Sequence, residues 1–231
     1  MKKGFTLAEV LITLGIIGVV SAITIPTLIT KIQKKQLESQ IKVAYAEIQQ
    51  AMKGAEADGM ILDGVLATDE STEVTKQWFN TYLAPNLKTE TLCINQAGCW
   101  HKKGTIKDLQ GKASPWDNNA GLGTHIITFK TAKGTYYNID GMSKYRLNTL
   151  FGINADSIGL VIYFDANGDK RPNKIGIDIH TLVMTDKGLK PAGSDRSSLE
   201  VTKNCEQGDG YWCLQKFITE SWTIPDKVWK R

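Results

Sequence analysis

From Phe5 to Ile25 the chain is apolar, apart from glycines, hydroxyl side chains and one acid, Glu9. Thr6, Thr13, Ser21 and Thr24 can return their hydroxyls to helix carbonyls, so they break the pattern at little cost. At about 1.5 Å per residue this run reaches about 31 Å, the thickness of a hydrocarbon core. The pattern predicts a helix that spans a membrane to about residues 25–29. Beyond Pro26 it becomes amphipathic. Leu37, Ile41, Ala44, Tyr45, Ile48, Met52 and Ala55 recur at spacings of three and four, one face of a helix. Lys34, Lys35, Glu38, Lys42, Glu47 and Lys53 are assigned to its other sides. Asp58-Gly59 is a stop signal. Pro26 lacks the N–H that its helix position would use, which predicts a bend there.

The pattern changes again after residue 58. Thr72 to Leu83 reads as a short helix. Ile127 to Phe129 with His125 and Ile126, Thr135 to Ile139, Gly159 to Phe164, and Ile175 to Ile179 read as strands. The first two form a hairpin around Ala132-Lys133-Gly134. The expected fold is α+β: a long N-terminal helix, with a transmembrane half and an amphipathic half, packed on an antiparallel β-sheet domain. The helix covers 5–57 and the exported globular domain 58–231.

Glu9 is the anomaly in the apolar run. An ionised side chain within a membrane costs on the order of 2.5–3.5 kcal/mol even on insertion scales, which makes it a functional candidate. Lys2 and Lys3 precede the run and place the amino terminus in the cytoplasm, although Lys31, Lys34 and Lys35 follow it. A secretory signal peptide would need a shorter core and a cut near Val20-Ser21-Ala22, with Glu9 inside that core. A plain anchor explains the length but not the acid.

Lys3-Gly4-Phe5-Thr6-Leu7-Ala8-Glu9 resembles the class III signal of type IV pilins and type II secretion pseudopilins. The resemblance covers about residues 1–55 and includes Pro26. It implies a leader of residues 1–4, cleavage by prepilin peptidase between Gly4 and Phe5, and N-methylation of Phe5. It further implies that Glu9 pairs with the Phe5 amine of a neighbouring subunit during filament assembly. Two buried opposite charges are each costly alone and tolerable together, and such pairs suit registry. The implied partners are other copies or related subunits in a filament, prepilin peptidase, an inner-membrane assembly platform, and membrane lipid before assembly. The implied location is a single pass in the inner membrane with the globular domain outside the cytoplasm, then a pilus or pseudopilus. A competence pilin for DNA uptake is an alternative within this class. A membrane-anchored binding protein or enzyme acting singly is the alternative outside it.

The four cysteines form two close pairs in sequence, Cys93/Cys99 and Cys205/Cys213. Neither spacing is a C-x-x-C motif, and three connectivities exist. Local disulfides are the simplest expectation for an exported domain; the second pair is similar to a C-terminal disulfide loop of many pilins. Asp165-Ala166-Asn167-Gly168-Asp169 reads first as a tight Asn-Gly turn. Asp165, Asn167 and Asp169 are also a candidate calcium set of hard oxygens, although the glycine comes too early for an EF-hand and Lys170 and Arg171 adjoin it.

Enzyme signatures are absent. His101, His125 and His180 have no metal spacing and no evident acid partner. No phosphate loop or G-x-S-x-G serine elbow occurs. The net charge of +4 is modest and dispersed, so no nucleic acid is expected as a partner. The six tryptophans are assigned to core packing.

Overall fold

The computed structural model describes residues 6–59, 76–94, 99–102, 104–113, 127–156 and 159–231. Its contacts divide the chain into two units, Met1–Leu37 and Glu38–Arg231. Helix α1, Leu7–Ala57, runs through Pro26. The hydroxyls of Thr13, Thr24, Thr27 and Thr30 donate to carbonyls three or four residues back, as an apolar surrounding requires. In the first unit the large apolar side chains from Leu7 to Ile32 are exposed. By length and composition this helix can cross a membrane.

In the second unit, α1 buries Ile41, Ala44, Ile48, Ala51, Met52 and Ala55. It ends where Gly59 adopts a φ of 82°, and Gly59 N–H donates to Glu56 O. Glycine takes this left-handed conformation without the clash that a Cβ brings.

Among the described residues, six antiparallel strands follow in sequence order across one sheet. They are β1 (Thr89–Ile94), β2 (Ile127–Thr131), β3 (Tyr136–Met142), β4 (Gly159–Asp165), β5 (Ile179–Thr185) and β6 (Gly188–Pro191). The helices between and after them are α2 (Lys144–Thr149), α3 (Ser198–Gln207), α4 (Cys213–Thr219) and α5 (Asp226–Trp229). Every residue of β4 and β5 is buried, so these strands are covered on both faces.

Strand register builds the core. Phe129 pairs with Tyr137, Tyr137 with Phe164, and Phe164 with His180. These rings lie 5.1–6.1 Å apart and form a row across four strands. Phe79 extends the row at one end and Phe217 at the other. Tyr137 also reaches α1, where its hydroxyl donates to Ala44 O at 2.8 Å and lies 3.2 Å from Glu47 Oε2. The opposite face packs Val161, Tyr163, Ile179 and Val183 against Trp100, Ile106, Phe151 and Ile153.

Several local expectations change. The hairpin forms, with Gly134 at φ 83° in the turn. His125, Ile126 and residues 72–75 lie outside the described residues. The described part of the expected 72–83 helix is helical throughout: residues 76–78 are α-helical and run into a π-helical turn at Phe79–Leu83, followed by a 3₁₀ turn at Ala84–Asn86. The expected strand Ile175–Ile179 is instead mostly a turn. Lys174 O accepts the N–H groups of Ile177, Asp178 and Ile179, and Gly176 has a φ of 84°. The real strand starts at Ile179. Asn167-Gly168 is not a two-residue hairpin turn either, because Gly168 has positive φ and Asn167 does not. The chain makes a longer loop between β4 and β5.

Two acids assigned to the solvent side of α1 turn inward. Glu38 is 6% exposed and accepts the Ile224 N–H at 3.0 Å. Glu47 accepts Thr131 Oγ1–H and pairs with Lys133. Apolar periodicity alone does not reveal polar positions that the fold later fills with donors.

Ile48→Ala is expected to cost about 2–5 kcal/mol, since Ile48 is wholly buried. Tyr137→Phe is expected to cost about 1–3 kcal/mol by removing the buried hydroxyl that donates to Ala44 O. Chemical denaturation of the detergent-solubilised protein measures both.

Candidate functional site

The first site is the start of α1. Thr6 immediately precedes the helix, and Glu9 lies three residues on. Thr6 N–H donates to Glu9 Oε2 at 2.8 Å, and the Thr6 hydroxyl donates to the same oxygen at 2.9 Å. Glu9 N–H lies 3.3 Å from Thr6 Oγ1. This is a reciprocal capping box. It satisfies donors that an α-helix leaves open at its first turn and puts an acid at the positive end of the helix dipole. Glu9 therefore has an intramolecular role that its charge did not announce. The signal was legible as T-x-x-E ahead of an apolar run. Gly4 and Phe5 lie outside the described residues.

Residues 1–25 match the family described as the prokaryotic N-terminal methylation motif. The chain carries the prepilin signature of type IV pilins and pseudopilins. No curated protein and no solved structure matches it. The prepilin motif and the apolar helix together fit a single-pass membrane anchor. The family is structural rather than catalytic, and the α+β architecture behind the prepilin segment is pilin-like.

The second candidate site is the loop between β4 and β5. Asp165 is fully buried, and its Oδ1 accepts the N–H groups of Asn167 and Gly168. Its Oδ2 is 2.8 Å from His101 Nε2, so His101 has an acid partner after all. Asp178 is also fully buried and accepts the N–H groups of Asn173 and Lys174 and the amide of Asn167. Asp169 points elsewhere and accepts the Tyr136 hydroxyl at 2.7 Å. Of the expected cation ligands, Asp169 is held by Tyr136, whereas Asn167 lies against both Asp165 and Asp178. Among the described residues no group of three or more His, Cys, Asp or Glu is arranged to hold a metal ion. The observed arrangement is a staple in which two buried carboxylates fold the loop around themselves. The loop in turn holds neighbours: Lys107 N–H donates to Asn173 O, and Lys174 Nζ donates to Arg231 O.

Disulfides join Cys93 to Cys99 and Cys205 to Cys213. The first lies two residues before His101. The second ties α3 to α4, with both cysteines fully buried. Trp78 and Trp100 are buried, while Trp222 stands against Tyr45 with ring centroids 5.2 Å apart.

The buried groups titrate in opposite senses. Burial and the charge of Asp165 push the Asp178 carboxyl up to about 7, and burial also raises Asp165. Burial pushes His180 down to about 3; it stays neutral and its Nε2 faces Ile177 O. An unfolded Asp titrates near 4 and an unfolded His near 6.5. Stability from Asp178 is full below about pH 4 and is lost as pH rises to about 7. Stability from neutral His180 is full above about pH 6.5 and is lost as pH falls towards 3. Between about pH 4 and 6.5 the two oppose each other. A His180→Gln variant is therefore expected to lose stability steadily from pH 4.5 to 6.5, by up to about 1.4 kcal/mol per pH unit. The parent should lose less over that range, because neutral His180 gains stability as the buried carboxyls lose it. Urea denaturation across the pH series distinguishes the two, and equal slopes would refute the burial effect at His180.

Proposed function

We propose that this protein is a subunit of a type II secretion pseudopilus or a type IV pilus-like filament. It is made as a membrane precursor, cut by prepilin peptidase between Gly4 and Phe5, and N-methylated on Phe5. Its globular domain faces away from the cytoplasm, and it polymerises through the exposed apolar surface of α1. The single observation that supports this reading most is the motif over residues 1–25, joined to a helix whose apolar side chains find no partner within their own unit.

In this reading Glu9 serves twice. Within the subunit it caps Thr6. Between subunits its negative charge meets the new amine on Phe5 of a neighbour. Both intramolecular bonds converge on Oε2. The charge and the capping geometry can be separated by substitution, because glutamine completes a capping box as glutamate does but carries no charge.

Mass spectrometry of the mature chain is expected to find a methylated Phe5 at the amino terminus. An intact Met1, or a cut after Ala22, would overturn the filament reading. Glu9→Leu and Glu9→Gln should both stay in the membrane and both fail to enter filaments. Normal filament yield from Glu9→Gln, with loss only in Glu9→Leu, would assign Glu9 to capping alone.

A further inference from the structure

We infer that Lys31, Lys34 and Lys35 form a collar that binds anionic phospholipid headgroups where α1 leaves the bilayer. The inference rests on the single-pass reading and adds a lipid class to it. The exposed apolar run of α1 ends at Ile29 and Ile32, and Lys31 is the first ionisable residue after Glu9. Positions 31, 34 and 35 are spaced three and four apart, so the three ammonium groups share one side of the helix. Lys31 and Lys35 are exposed, and Lys34 is half-buried.

The surface between them has two characters. Lys31, Ile32, Lys35 and Gln36 form one shallow, open patch of the helix surface. Ile32 is 56% exposed and is the apolar part of this patch, beside the two lysines. A phosphodiester fits the ammonium pair, and the start of an acyl chain fits the isoleucine. A free anion would use only the first of these features. Lysine stems also lie along apolar surface while their charge stays in the headgroup layer. Cleavage after Gly4 removes Lys2 and Lys3, which leaves this collar as the basic cluster flanking the membrane segment. It then sets the depth of α1, and the grip must be released when a subunit leaves the bilayer.

Each lysine near an anionic surface favours it about fivefold, so three give a preference on the order of a hundredfold that weakens as salt rises. The test uses the full chain in mild detergent, titrated with phosphatidylglycerol or phosphatidylcholine, with bound lipid counted by native mass spectrometry. The expected result is preferential retention of phosphatidylglycerol. It should be lost in the triple variant Lys31→Gln, Lys34→Gln, Lys35→Gln and kept in the corresponding triple arginine variant. Equal retention of the two lipids, or retention unchanged in the glutamine variant, overturns the collar. Displacement of phosphatidylglycerol by millimolar inorganic phosphate also overturns it, since the site would then be a plain anion site. A dimer that the glutamine variant abolishes with no change in bound lipid assigns the lysines to a second copy instead. Alkaline extraction of membranes tests the anchor separately. Release of the parent protein sinks the single-pass reading itself, whereas a protein that stays in the membrane without lipid preference sinks only the collar.

Discussion

The globular unit depends on one cross-strand row of rings, Phe129, Tyr137, Phe164 and His180. Antiparallel pairing brings directly opposed side chains close enough to pack, and large rings gain most from it. The row fixes register, because a slip by one residue would send every ring to the other face. It also fixes the seat of α1: Tyr137 carries the row's only phenolic hydroxyl, and that group reaches the helix at Ala44 and Glu47. His180 takes part as a neutral ring, and burial keeps it so.

The loop between β4 and β5 solves a different problem. It must cross a sheet end without exposing orphaned backbone donors to an apolar interior. Asp165 and Asp178 supply acceptors for four backbone N–H groups. The cost is two carboxylates placed where the charge of one raises the proton affinity of the other. The hydrogen bonds to backbone and His101 offset that cost. Gly168 completes the geometry: its φ of 63° and the nearby Gly134 carbonyl leave no room for a side chain. A motif that reads in one dimension as a tight turn is, in three, a longer loop whose two carboxylates satisfy its own backbone.

The amino-terminal helix faces the opposite solvent problem. Its hydroxyls bond inward to carbonyls, and its first turn is closed by Thr6 and Glu9. A carboxylate that accepts two hydrogen bonds near the positive end of a helix is less costly than an isolated one. This helps explain how an acid can be held in a segment that is otherwise apolar, before any second subunit is considered.

The membrane segment, the helical face from Ile41 to Ala55, the hairpin and the α+β class were legible because each rests on local periodicity or a local motif. The prepilin signature was legible for the same reason, being a contiguous string from Lys3 to Glu9. Thr6 as partner of Glu9 was readable too, although the charge drew attention from the cap. What remained hidden depended on residues far apart in the chain. His101 and Asp165 are separated by 64 positions, and Glu38 and Ile224 by 186. No spacing rule announces such pairs; the sheet's register and the path of the C-terminal segment bring them together. The start of β5 was hidden for a related reason: Ile175 to Ile179 has strand composition, but Lys174 O captures three successive N–H groups and bends it into a turn. The amino-acid sequence by itself determined which stretch is apolar enough to cross a membrane and that it carries the prepilin signature, since both are properties of contiguous residues. Only the tertiary structure decided which acids lie buried and what holds them, because burial and partner are created by packing between distant segments.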